Sequence, residues 1–511
     1  MTSASQNQNH LDDEHQTIIG IDLGTSNSLV TIYRNNQPEL IINNRGLRLT
    51  PSVVSFKSES EVLVGELARN QAVLNRDVTI THVKRHMGTD KRYDIRGRSY
   101  TPVEISGIIL RKLKSDAETF LGHPISKAVI TVPAYFNDNQ RLATKHAGEL
   151  AGLKVLKLLN EPTAAALAYG HARGGVSHLL VVDLGGGTLD ITLLDYEDRI
   201  FRVKGLGGST CLGGLDFDQE LVRHIAENFE TAHGVDLLKD PIAHQQLVIQ
   251  SEKAKIDLSS VIETSITAPY ISVTEKGPLH LNETLTREKF EQLIEPHLTS
   301  IRQLITETIK NYQIPPEWIE TIILVGGATR VPAVEKMVRE MFPAVAEIKK
   351  DLNPDEAVAM GAGVLAGILS EQVTDMDFYD ITSHNLGVED QKDKFALLIP
   401  AGTPYPCERT KLFSTIQDGQ TEVVIHVLQN GERAGDDQLV SLGRFHLENI
   451  RPVPAGEPNI DVTFAIDPHG LLNITAIDLD TGLSEKITIT DTISGDEMNT
   501  DERRGKGITI V

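Results

Sequence analysis

Residues 179–194 read Leu-Leu-Val-Val-Asp-Leu-Gly-Gly-Gly-Thr-Leu-Asp-Ile-Thr-Leu-Leu, two β-prone runs around Asp183-Leu-Gly-Gly-Gly-Thr188. The stretch predicts a hairpin whose turn is almost all backbone. Gly185, Gly186 and Gly187 carry no Cβ to hold a ligand off and permit positive φ, so their N–H groups can form a concave nest for an anion such as phosphate. Asp183 falls at the strand end, where a phosphate-bound cation would need a carboxylate. Read alone, a tight glycine turn between two strands explains the stretch as well. The motif recurs, however: Ile18-Ile-Gly-Ile-Asp-Leu-Gly-Thr-Ser-Asn-Ser-Leu-Val30 again sets Asp22-Leu-Gly-Thr between apolar strands. Two distant copies point to a duplicated domain with a facing pair of phosphate clamps. Neither is a P-loop, because no Gly-Lys-Ser/Thr follows the glycines.

Composition narrows the partners. A length of 511 residues is enough for about three or four units of typical domain size. Net charge is −22, from 71 acidic and 49 basic residues, which argues against nucleic acid or an anionic membrane as partner. Cys211 and Cys407 are the only cysteines, so a reducing, cytoplasmic setting fits better than a disulfide framework. Residues 1–16 are polar, lack a signal peptide's apolar core and read as a disordered tail. The longest apolar run, Ala357 to Leu369, is too short to span a bilayer and rich in Gly and Ala, which predicts a closely packed internal helix.

From 17 to 373 strands alternate with helices, an α/β architecture. Helices are predicted at 103–121, 137–151, 163–170, 216–231, 243–259, 287–311 and 355–369, and strands at 127–132, 155–159 and 321–325. An acidic stretch with Met376, Phe378 and Tyr379 embedded in it marks a linker at 374–381. From 382 to 490 helical periodicity gives way to strands at 422–428, 460–466, 472–477 and 486–490, with turn signals such as Asp418-Gly419 and Thr481-Gly482 between them: an all-β domain. Residues 491–511 are a charged tail whose Gly507-Ile-Thr-Ile-Val511 could add to a neighbouring sheet edge.

Further pieces converge on the two hairpins. Asn160-Glu161-Pro162-Thr163 puts a carboxylate at a helix N-terminus, where it caps the helix or, beside the Asp pair, positions a hydrolytic water or a hydrated metal. Lys84, in His82-Val-Lys-Arg-His86, is a surface lysine by default. Leu324-Val-Gly-Gly-Ala-Thr-Arg330 runs from a strand through glycines into a helix, which suits a nucleoside or phosphate. Cys211-Leu-Gly-Gly-Leu-Asp216 supplies another glycine turn.

Taken in order, these motifs resemble the 70-kDa heat-shock chaperone family, the DnaK type. They stand as Ile21-Asp-Leu-Gly-Thr-Ser-Asn-Ser28, Val132-Pro-Ala-Tyr-Phe-Asn-Asp138, Asn160-Glu-Pro-Thr-Ala-Ala-Ala166, Asp183-Leu-Gly-Gly-Gly-Thr-Leu-Asp190, Glu252-Lys-Ala-Lys255, Val325-Gly-Gly-Ala-Thr-Arg330 and Asn353-Pro-Asp-Glu-Ala357. Phe413-Ser-Thr415 and His426-Val-Leu-Gln429 continue the resemblance into the β domain, so that it covers about residues 17 to 490. The short stretch between Gly88 and Ser106 favours the HscC-like branch.

The resemblance implies an actin-like ATPase of two lobes, built from duplicated ribonuclease-H-like subdomains, followed by a β-sandwich that binds extended apolar peptide. Its implied cofactors are ATP or ADP, Mg²⁺ and K⁺. By position, Gly24, Thr25, Ser26, Asn27, Gly185, Gly186, Gly187 and Thr188 meet phosphate, with Gly213 and Gly214 nearby. Asp22, Glu161 and Asp183 hold hydrated Mg²⁺, Lys84 contacts the γ-phosphate, and Thr188 and Asp190 line the catalytic centre. Glu252, Lys255, Ser259, Gly326, Gly327, Arg330 and Asp355 surround the adenosine. Val388, Phe413, Ile416, Val423, Ile425 and Leu471 line the peptide pocket, and a J-domain co-chaperone is expected near Asn160, Thr163 and Asp380, with a nucleotide exchange factor as a further partner.

Departures qualify the expectation. Polar Gln391 falls where an apolar arch covers the peptide, and Asp377 interrupts the apolar run of the linker. Leu215 stands for a glutamate, and Cys211 for a polar residue; Cys211 is expected to be small and buried. Residues 491–511 are too few for a helical lid, so fast peptide exchange is expected. The alternative is a nucleotide-dependent regulator or scaffold that binds ATP without cycling peptide.

Overall fold

A computed structural model describes residues 17–172, 177–275, 277–345, 347–349, 353–390, 394–430, 439–468, 470–488 and 508–510; residues 1–16, Gln391 and the tail between 491 and 507 lie outside it. Strands Ile18–Leu23, Asn27–Arg34 and Gln37–Ile41 form an antiparallel meander, and Lys127–Val132 and Lys154–Asn160 extend it in parallel beyond the first strand. Counted along the chain, the order is 3-2-1-4-5. The second sheet repeats it: Ser177–Leu184, Leu189–Glu197 and Ile200–Ser209 form the meander, and Thr321–Val325 and Glu347–Lys349 the parallel extension. All six residues of Ile18–Leu23 are buried, as continuous apolar strands covered on both faces must be.

The predicted helices form at Pro102–Leu121, Asp138–Leu150, Glu161–Ala172, Gly214–His233, Pro241–Leu258, Arg287–Asn311 and Ala357–Leu369. Local capping sets several ends: Thr101 and Glu104 cap one another's backbone at the first, and Gly122 (φ +79°) stops it. Glu161–Ala172 and Ala357–Leu369 lie in a core shared by both sheets, with Ile18, Tyr33 and Val129 of the first and Leu179, Val181 and Leu194 of the second. Their small residues permit this. A Cβ on Gly361 would sit 1.7 Å from the Ala164 carbonyl oxygen. Gly361→Ala is therefore expected to destabilise the two-sheet unit by about 3 kcal/mol or more, as overpacking that needs backbone movement does, read as a lowered denaturant midpoint.

Beyond residue 381 two four-stranded sheets face each other. One runs Phe395–Ile399, Leu386–Glu389, Glu422–Asn430, Leu439–Glu448; the other runs Cys407–Phe413, Ile460–Ile466, Leu472–Asp478, Ser484–Thr488. Alternate residues Ile460, Val462, Phe464 and Ile466 point into the common core.

The connection between the two units is itself a strand. Asp377–Tyr379 pairs in parallel with Ile200–Arg202 and becomes the sixth strand of the second sheet. Period-two alternation explains why Asp377 does no harm: Met376 and Asp380 are buried, Phe378 is half-buried, and Asp377 and Tyr379 face out. The pattern at 507–511 also finds a sheet edge, since Thr509–Ile510 pairs in parallel with Glu61–Val62. Cys211 overturns the expectation of burial; it is exposed in a turn, beside Ser209. No helix among the described residues is long and apolar enough to cross a membrane.

Candidate functional site

The two glycine turns meet across a cleft of about 360 Å³ between the sheets. Asp22 and Asp183 end the first strand of each meander, and the pairing Asp183↔Asp190 and Leu184↔Leu189 leaves 185–188 as the turn. None of the three turn glycines adopts positive φ, contrary to expectation; close approach is what requires Gly186 and Gly187, whereas a Cβ on Gly185 would meet nothing nearer than 3.7 Å. A Cβ on Gly186 would lie 2.4 Å from Ser26 Oγ, and one on Gly187 would lie 2.9 Å from Thr25. Gly326 needs glycine on both counts: its φ is +82°, and a Cβ there would come within 2.6 Å of Asp183 Oδ1.

Lys84, in a short turn at Val83–His86, is buried rather than on the surface. Its ammonium pairs with the Glu161 carboxylate and lies 5.9 Å from the Phe136 ring centre. Thr131 Oγ1 donates to Asp22 Oδ1 at 3.0 Å, and the Tyr135 N–H donates to Asp190 Oδ1 at 3.1 Å. Burial first, and the Glu161 carboxylate next, push Asp22 up to about 7, Asp183 well above the ordinary carboxylate range and Asp190 up to about 8. Such a buried cluster of carboxylates around Lys84 would be stabilised by a cation. Asp22, Glu161 and Asp183 bring carboxylate oxygens to the cleft, donors of the kind a divalent ion or its water shell takes.

Asp22, Gly24, Thr25, Ser26, Asn27, Lys84, Glu161, Asp183, Gly185, Gly186, Thr188, Gly214, Glu252, Lys255, Gly326, Gly327, Arg330 and Asp355 all line the cleft. Ser259 lines an adjoining cavity with Lys255 and Arg330. Gly187, Gly213 and Asp190 do not line the cleft. Gly213 supports it from behind, since a Cβ there would lie 2.7 Å from the Gly186 backbone. Lys255 Nζ is fixed by Asp218 at 2.7 Å and the Gly214 carbonyl at 3.0 Å, and Arg330 by Asp355 at 2.7 Å. Sequence reasoning missed Arg85, which donates to Asp216 at 2.7 Å, although it stands next to Lys84.

In the β domain an open groove of about 840 Å³ lies between the two sheets. Val388, Phe413, Ile416, Val423 and Ile425 line it with Ile460 and Val462. Leu471 does not: it is buried in the core of the first lobe, with Val132, Ala143 and Leu158. That assignment is corrected, and the reason is the seating of the β domain on the helix at 138–150. There Asp380 Oδ2 accepts from Asn160 Nδ2 at 2.7 Å, Arg141 donates to Asn160 Oδ1 at 2.8 Å, and His384 packs on Tyr135 with ring centres 4.5 Å apart. Lys157 sits 4.9 Å from the Phe378 ring centre.

A family model described as "Hsp70 protein" matches residues 18–95 and 90–504. The "Chaperone protein DnaK" of Thermus thermophilus, in each of two strains, is similar at 47% identity over 506 residues, covering 94% of this chain and 82% of each relative.

Proposed function

The chain belongs to the Hsp70 family of ATP-dependent chaperones, and we propose that its cleft hydrolyses ATP while its β groove holds extended apolar peptide, with the strand at 377–379 coupling the two. The division of labour falls at 17–373, 374–381 and 382–490. The repeated 3-2-1-4-5 sheet order supports a duplicated, ribonuclease-H-like origin for the two lobes. The single observation that carries the reading is the docked linker, because it joins the groove's domain to the strand next to the phosphate hairpin.

In the cleft, Gly24 to Asn27 and Gly185, Gly186 and Thr188 would cradle phosphate. Lys84 would face the γ-phosphate, and the carboxylates of Asp22, Glu161 and Asp183 would orient water. Bound Mg²⁺ supplies charge neutralisation of the phosphates, and K⁺ belongs to the same reading. Positioning and charge carry the chemistry, in-line attack of water, with no covalent intermediate. A J-domain partner near the linker would touch exposed Asp377 and Tyr379, since Asn160, Thr163 and Asp380 are buried.

Single-turnover ATP hydrolysis, with and without an extended apolar peptide and a J-domain, tests the reading. Stimulation by both is expected; tight ATP binding without any response would overturn it. In the groove, Ile416 is 52% exposed, so Ile416→Asp should leave the fold intact. It is expected to weaken peptide affinity about tenfold or more, from the lost burial of one aliphatic side chain, measured by fluorescence anisotropy, with basal hydrolysis unchanged.

A further inference from the structure

Strand Glu61–Val64 has Val54–Phe56 on one side and, on the other, a segment that follows the β domain. Thr509 pairs with Glu61 and Ile510 with Val62, and the Thr509 N–H donates to the Ser60 carbonyl at 2.7 Å. Ile508 is 8% exposed and joins the apolar core of the first lobe with Val62, Val64 and Phe56, while Thr509 faces out. Ile510 packs on the same core. One face in and one face out is the pattern of a strand with a fixed register.

We propose that the free edge of Glu61–Val64 is a strand-binding surface whose occupant is this chain's own segment Ile508–Ile510, and that its occupancy favours the docked arrangement of the β domain. An unpaired sheet edge with an apolar strand behind it is a template for strand addition. The occupant is tethered, because the last strand of the β domain ends at Thr488. The intervening chain can span at most roughly 65 Å at about 3.3 Å per residue. When the linker strand is docked, both ends of this tether belong to one body and the loop closes over a fixed span. When it is undocked, the same pairing must close over a wider, fluctuating span at greater entropic cost. The segment therefore binds the docked state more tightly and, by reciprocity, stabilises docking.

The proposal rests on the docked reading of the linker for its second half only, and two measurements on the full chain separate the halves. Ile508→Asp puts a charge into the apolar core, and Thr509→Pro removes the N–H that reaches Ser60. Both residues are remote from the cleft, so basal ATP hydrolysis is the check that each variant folds. Hydrogen exchange of the 60–64 stretch is expected to quicken about tenfold in both, and protease cutting of the linker at 376–380 in ATP to quicken several-fold. Unchanged exchange at 60–64 in both variants would overturn the strand-binding surface. Faster exchange with unchanged linker cutting would overturn the bias toward docking. If ATP fails to protect the linker in the unmodified chain, the coupling reading fails instead, while the exchange result still decides the edge.

Discussion

Lys84→Met is expected to slow single-turnover ATP hydrolysis by about 10²–10³-fold, the usual cost of removing one preorganised charge from a transferring phosphoryl group. Nucleotide affinity should fall far less, because Lys255, Arg330 and Asp355, which also line the cleft, keep their own partners. Methionine keeps most of the aliphatic stem against Phe136 but leaves the buried Glu161 carboxylate without its partner. A loss of rate could then reflect a disturbed Glu161 rather than a missing charge at phosphate. The double variant Lys84→Met with Glu161→Gln separates these effects, since it removes the uncompensated charge. If the double variant is no slower than Glu161→Gln alone, Lys84 acts through Glu161; if Lys84→Met slows the Glu161→Gln background further, the ammonium acts on the phosphate. Nucleotide affinity measured by titration in the same variants shows whether the effect is confined to the chemical step.

What the sequence made legible was local. The hairpin at 177–197 and the strand at 321–325 followed from apolar period and glycine position, and the Ala- and Gly-rich run at 357–369 announced close packing because little else fits such small side chains. Lys84 was opaque on residues alone: its burial depends on Glu161, 77 positions away in the chain. The hairpin of Glu263–Thr274 and Gly277–Thr286 was missed because polar residues are scattered through both strands and only a few residues are buried. Gly186 and Gly187 were legible as glycines but not for the right reason, since the clash that excludes a Cβ comes from Ser26 and Thr25 of the other hairpin. Leu471 and Cys211 failed for a related cause. Whether an apolar residue faces a groove, a core or solvent is set by packing between units, and no local pattern encodes that.

Asp380→Ala is expected to uncouple the two units. Asp380 is buried; one carboxylate oxygen accepts from Asn160 Nδ2 at 2.7 Å and the other from the Ile381 N–H at 2.9 Å. Burial raises its pKa from the ordinary aspartate value, opposed by the Ile381 N–H and by the charges of Arg141 and Lys157. Removing the carboxylate leaves the Asn160 amide without its acceptor in the interface and takes away a negative charge near Arg141. Leaving such a buried donor unsatisfied costs about 1–3 kcal/mol, or about 10–10²-fold in the docking equilibrium. The cleft keeps all its own residues, so basal hydrolysis should persist while ATP no longer accelerates release of a labelled peptide. Asp380→Asn keeps the shape and can still pair with Asn160, but it loses the charge that faces Arg141 and Lys157, and should fall between the two. Stopped-flow peptide release with and without ATP gives the answer. Full ATP acceleration in Asp380→Ala would show that the linker strand docks without this carboxylate, and that the signal from the phosphate hairpin reaches the groove by another route.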